Sequence, residues 1–195
     1  MIENFLRAPA GRAELFADAV RVVGVVSLVA AGVGWGAVSF WVTALALLGV
    51  FASRFLGLRA ALDIALGLTL LTAAWSSVLD LYAAIPAWDL VVHFAATGLI
   101  AAALYIAAQR RGIVPPVASV PAAAVLTAAF GTSAAVVWEI AEWAGHTYID
   151  PTIFVGYTDT IGDLAAGAAG SVVAGCSMRL LTARGRVRPA ADARL

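Results

Sequence analysis

Between Trp138 and Asp163 the chain reads W-E-I-A-E-W-A-G-H, a short linker, then Y-T-D-T-I-G-D-L. The stretch carries Glu139, Glu142, His146, Asp150, Asp159 and Asp163, with no Lys or Arg among them. A second stretch, W-D-L-V-V-H-F from Trp88, adds Asp89 and His93. Carboxylates and imidazole are the ligands that divalent cations such as Zn, Mn, Fe or Mg take. Acids crowded in a low dielectric with no basic partner must share protons or gather cations.

Helical spacing decides which of them can meet. Asp89 and His93 are i,i+4, Glu139, Glu142 and His146 are i, i+3 and i+7, and Asp159 and Asp163 are i,i+4. Each set shares one helix face, so three helices each present a two-rung ladder. His93, Glu139 and Asp163 form the deeper rung. It lies about 5 Å below Asp89, Glu142 or His146, and Asp159. The spacing predicts a divalent-metal site with His93, Glu139, Asp163, Asp159 and His146 as ligands and Glu142 or Asp89 as general base. E-x-x-E-x-x-x-H is related to the E-x-x-H step of metal sites in helical bundles without being the same motif.

Plainer readings stand beside this one. Asp89 and Asp159 lie near helix starts, where an acid caps the helix and complements its dipole. Asp150 precedes Pro151 and suits a turn. His93, Glu139 and Asp163 could instead form a proton-bridged structural network.

The elements that would position these groups follow from composition. The 195 residues are 63% hydrophobic and 12% charged, with a mean hydropathy of +0.95. A soluble domain of that length could not bury so much apolar surface. The expected class is an all-α polytopic transmembrane bundle of about six spans. Net charge is zero and every basic residue is Arg, which gives no sign of nucleic-acid binding. The lone Cys176 allows no internal disulfide and reads as a small core residue. The first twenty residues lack the layout of a cleaved signal peptide.

The apolar runs place spans near 20–35, 37–55, 58–82, 87–108, 121–145 and 158–181, the first two forming a hairpin that turns at Trp35. The chain reads as one membrane domain: an interfacial segment over 1–19, the six-helix bundle over 20–182 and a basic tail over 183–195. Asp63 follows Arg59 at i,i+4 and suggests a local ion pair. Gly162, Ala166, Gly170 and Ala174 form a small-residue stripe that permits close helix approach. With six spans all arginines fall on one side, which the positive-inside rule makes cytoplasmic together with both termini. All six Trp fall in or near the other half, as an interfacial belt does.

W-D-x-x-x-H-F, then W-E-x-x-E-W, then Y-x-D-T-x-x-D-L-x-x-x-x-x-G resembles the YjdF-type family of uncharacterised prokaryotic inner-membrane proteins over about residues 55–175. The helix order is also similar to the VanZ-like family, which shows D-K-x-x-H-F, an E-x-x-Q step and D-x-x-x-N-x-x-G. The resemblance implies a prokaryotic inner-membrane location and points to Asp89, His93, Glu139, Glu142, Asp159, Asp163 and Gly170. Leu90 stands where the VanZ-like pattern has Lys, and Gly167 where these families carry Asn or Asp. Roles that need a basic group or a fourth polar rung therefore do not carry over.

Three functions fit. The first is a metal-dependent enzyme at the outer leaflet, acting on a lipid or lipid-linked envelope substrate. The second is a cation-binding transporter, and the third a non-catalytic envelope accessory protein. There is no G-x-S-x-G elbow and Cys176 lies on the far side, which argues against covalent Ser or Cys catalysis.

Overall fold

A computed structural model describes residues 2–114 and 119–182, so the basic tail expected over 183–195 lies outside the described residues. The described chain is helical: α1 (Ile2–Leu6), α2 (Arg12–Trp35), α3 (Ala37–Leu56), α4 (Ala60–Val78), α5 (Leu81–Ala84), α6 (Trp88–Arg110), α7 (Val120–Tyr148), α8 (Tyr157–Cys176) and α9 (Met178–Thr182). Five of these, α2, α3, α4, α6 and α7, are long and apolar enough to cross a membrane. With 20 residues, α8 runs about 30 Å and has the length of a span. Asp159, Asp163 and its glycines keep it out of the five that are apolar enough to cross.

Local chemistry sets the breaks. The α3 helix ends at Gly57 in the left-handed conformation (φ 60°). The Gly57 N–H donates to Arg54 O at 2.9 Å and the Leu58 N–H to Ser53 O at 3.1 Å, which closes a Schellman motif. The α7 helix starts from Ser119, whose Oγ accepts from the Ala122 N–H, with Pro121 in the first turn.

Packing divides the long helices into two groups. One apolar core joins α2, α3 and α4 through Val20, Leu47, Val50 and Leu71. A larger one joins α4 to the second group through Leu62, Leu66, Tyr105, Ile106, Ala123 and Met178. In that second group α8 lies tight against both α6 and α7. Many large apolar side chains, Val22, Val26, Val29, Leu48, Val125 and Val137 among them, point outward, as lipid-facing surfaces do.

Three local expectations change. The α2 helix begins at Arg12, inside the stretch read as interfacial, because its charges find partners. Glu14 bonds Arg7 at 2.8 Å and Asp18 bonds Arg21 at 2.9 Å. Asp63 pairs not with Arg59 but with Arg21 on α2, which donates to both carboxylate oxygens at 2.6 Å. Ser53 Oγ donates to the same carboxylate, so one buried cluster ties α2, α3 and α4 together. Arg59 instead donates to Leu180 O and Arg110 to Gly57 O. Cys176, read as a core residue, is exposed.

Candidate metal centre

The arginine contacts gather the N-terminal half of α2, the end of α3, the start of α4 and the end of α6 at one end of the bundle. The acids sit at the other. There the starts of α6 and α8 meet the last turns of α7. His93, Glu139 and Asp163 bring one ligand atom each to within 4.8 Å of one another, and Asp89, Asp159 and Asp163 do the same. Asp163 belongs to both sets.

Asp163 is 3% exposed and its Oδ1 has no hydrogen-bond partner; the buried Oε1 of Glu139 has none either. Such orphaned oxygens are uncommon in folded proteins and point to a missing ion or water. His93 Nε2 lies 3.7 Å from Asp163 Oδ2, too far for a hydrogen bond. That spacing is near the edge of about 3.4 Å between two ligands of a tetrahedral ion. Among the described residues no Lys or Arg is bonded to either set. Asp89 and Asp159 are in side-chain hydrogen-bond contact, as a shared proton requires, whereas the orphaned oxygens of Glu139 and Asp163 have no such contact.

Asp89 and Asp159 are not the cap residues, which are Ala87 and Gly156, but both stand in the first turn of their helix, where an acid complements the dipole, and Asp89 Oδ1 accepts from the Leu90 N–H at 2.8 Å. Asp150 does form a turn, its Oδ1 accepting from the Thr152 N–H at 2.9 Å and the Thr152 hydroxyl at 2.7 Å. Those two donors, the hydroxyl first, hold the Asp150 carboxyl below its ordinary value. His146 shares a stripe with Glu139 and Glu142 but joins neither set: its Nδ1 lies 2.6 Å from Ile153 O, which ties the α7–α8 loop to its helix. Glu142 is also outside both sets.

Spacing alone did not find Tyr82. Its hydroxyl donates to Ala73 O at 3.0 Å. Burial first, and then the Glu142 charge, hold its phenol above its ordinary value. It stands beside the acids as a neutral hydroxyl, and a lone Tyr in a connecting turn carries no sequence signal. Trp88 anchors the start of α6, its Nε1 donating to Ser76 Oγ on α4 at 2.9 Å.

The position of the rungs depends on how closely α6, α7 and α8 approach. A Cβ on Gly98 would lie 2.7 Å from Gly170 O, and one on Gly170 would collide with Phe94 O. Beneath the acids, a Cβ on Gly167 would meet Thr97 at 3.0 Å, and one on Gly131 would overlap Ser171 Oγ. Helix contacts therefore close the floor of the site. A groove of about 570 Å³ lies at the opposite end, lined by Phe5, Arg7, Arg21, Val25 and Phe51 among others. Its guanidinium groups already face Glu14, Asp18 and Asp63, so it is not where the unpaired acids act.

The family model described as "Predicted membrane protein (DUF2238)" matches residues 14–184. No curated protein and no solved structure matches the chain.

Proposed function

Since the chain belongs to the DUF2238 family of predicted membrane proteins, we propose that it is a divalent-metal-dependent membrane enzyme acting at the outer leaflet on a lipid or lipid-linked substrate. The reading takes α8 as a sixth span of a single membrane domain, which puts both termini on one side. The positive-inside rule makes that side the cytoplasm of a prokaryotic cell. The likeness to YjdF-type and VanZ-like proteins belongs to the same reading.

The observation that carries it is Asp163, 97% buried by its 3% exposure, with an unpartnered oxygen between the carboxylates and imidazole of α6 and α7. A cation of the Zn, Mn, Fe or Mg class satisfies that oxygen. It would be held by Asp163, His93 and Glu139. When bound, such an ion supplies Lewis acidity and an activated water. Glu142, outside both ligand sets, and Tyr82 beside it are the groups left to move a proton. No basic side chain is bonded to the ligand sets among the described residues, so an anionic head group would be received by the metal.

The closed floor favours this over transport. Gly131 packs against Ser171, and Gly167 against Thr97, so α6, α7 and α8 are in close contact beneath the acids. The test is metal content of detergent-purified protein, wild type and Asp163→Asn, followed by incubation with phospholipid and lipid-linked substrates. The wild type should hold divalent metal that Asp163→Asn loses, and only the loaded wild type should release product. Wild type that takes up none of the four metals overturns the reading.

A further inference from the structure

The acids make two ligand sets, not one. His93 and Glu139 complete the first with Asp163, and Asp89 and Asp159 the second with the same Asp163. Their helical positions explain the division. Asp89 precedes His93 by four residues on α6, and Asp159 precedes Asp163 by four on α8, so the second set lies about 6 Å further out along the helices. Donors at about 2.1 Å from one ion lie at most about 4.2 Å apart, and only Asp163 belongs to both sets, so the other four donors divide between two positions.

Charge arithmetic points the same way. The two sets contain four carboxylates, Asp89, Glu139, Asp159 and Asp163, and one imidazole. With all four ionised, one divalent cation leaves a net charge of about −2 in a half-buried site, whereas two bring it to zero. Asp163 is built to be shared. It is the most buried of the four, it has two oxygens, and Oδ1 has no protein partner while Oδ2 faces His93.

We propose that the site is dinuclear: two divalent cations bridged by the Asp163 carboxylate, one completed by His93 and Glu139, the other by Asp89 and Asp159. The inference rests on the cation reading above and goes beyond it in number and arrangement. A carboxylate bridge holds two ions about 3.5–4 Å apart, the spacing of sites that clamp the attacking and leaving oxygens of a displacement at phosphorus or a carbonyl. The substrate class it selects is a phosphate ester or anhydride carried on a lipid, whose anionic oxygens span two cations.

The experiment uses the full chain in detergent, stripped with chelator, loaded with Mn²⁺ and passed over a desalting column. Metal is counted per chain, and electron paramagnetic resonance is recorded on the same samples. Two Mn per chain with an exchange-coupled spectrum are expected for the wild type. Asp89→Asn and Asp159→Asn should each retain one Mn with an isolated six-line spectrum, and Asp163→Asn should hold at most a weak one. One Mn per wild-type chain with an isolated spectrum overturns the pair and leaves the single-cation reading standing. Two Mn without coupling overturns the Asp163 bridge. No Mn, with the same null result for Zn²⁺, overturns both readings. The wild-type count and spectrum decide the matter even where a variant does not fold.

Discussion

Gly98→Ala offers a direct way to disturb the site without touching a ligand. The added Cβ would sit 2.7 Å from Gly170 O and 2.9 Å from its carbonyl carbon, both backbone atoms with no rotamer to yield. An ordinary C···O contact is about 3.3 Å, so α6 and α8 must part by about 0.6 Å at that level. His93 is five residues from Gly98 along α6, about 7.5 Å away, and Asp163 is seven residues from Gly170 along α8, about 10.5 Å away. The parting therefore reaches the ligands largely undiminished, and metal–ligand distances tolerate only about 0.2 Å. Overpacking costs about 1–3 kcal/mol, offset by about 1 kcal/mol from the better helix propensity of Ala. The variant should thus fold, melt at or somewhat below the wild type, and bind Mn²⁺ about 10–100-fold more weakly, the loss seen when support of a metal ligand is removed. Titration calorimetry and a thermal melt in the same detergent measure both quantities. Gly34→Ala is the control, since its Cβ meets nothing within 4 Å and its metal binding should be unchanged. If Gly98→Ala binds metal with wild-type affinity, the close approach of α6 and α8 does not position the ligands, and the argument from Gly98 and Gly170 fails.

Further outcomes follow from other contacts. Asp63→Asn leaves the buried Arg21 guanidinium with the part-exposed Asp18 as its remaining charged partner and should cost about 3 kcal/mol in a denaturant titration, the low end of the range for breaking a buried pair, with metal content unaltered. Ala87→Gly removes a left-handed conformation (φ 58°) from a residue with a Cβ and should stabilise by about 1 kcal/mol in a melt. His146→Phe loses the contact with Ile153 O, worth about 1 kcal/mol, and should leave metal stoichiometry intact because His146 is in neither ligand set. Thr152→Val removes the hydroxyl donor and keeps the N–H, so it should let the Asp150 carboxyl rise part of the way toward its ordinary value in an NMR titration. The folded value is depressed, so the contribution of this turn is present above the ordinary value and lost as pH falls through the folded value.

Much of this architecture is legible in the sequence, because long apolar runs and glycine or proline breaks follow from local physics. The α2–α3 hairpin, the ends of α6 near Trp88 and Arg110, and the start of α7 by Pro121 are of that kind. The shared faces of Asp89 with His93 and of Asp159 with Asp163 follow from the helical repeat alone. What local reasoning misses is long-range pairing. Arg59 is the nearest partner for Asp63 along the chain, yet Arg21, 42 residues away, takes it once α2 packs on α4. The same blindness hid the start of α2, whose charges look solvated until Arg7, Arg54 and Asp63 surround them. His146 has the spacing of a ligand but is in neither set; its Nδ1 lies 2.6 Å from Ile153 O, a contact set by a loop path that does not follow from periodicity.

The α4 helix belongs to both packing groups, with its Leu71 in one core and its Leu62 and Leu66 in the other. That makes it the seam of the molecule. Each side of the seam has its own polar cluster, the Arg21–Asp63 clasp on one and the proposed metal ligands on the other. Drawn out of a bilayer by its ends, the chain should rupture in two steps, and only the later half of the chain should resist harder when metal is present.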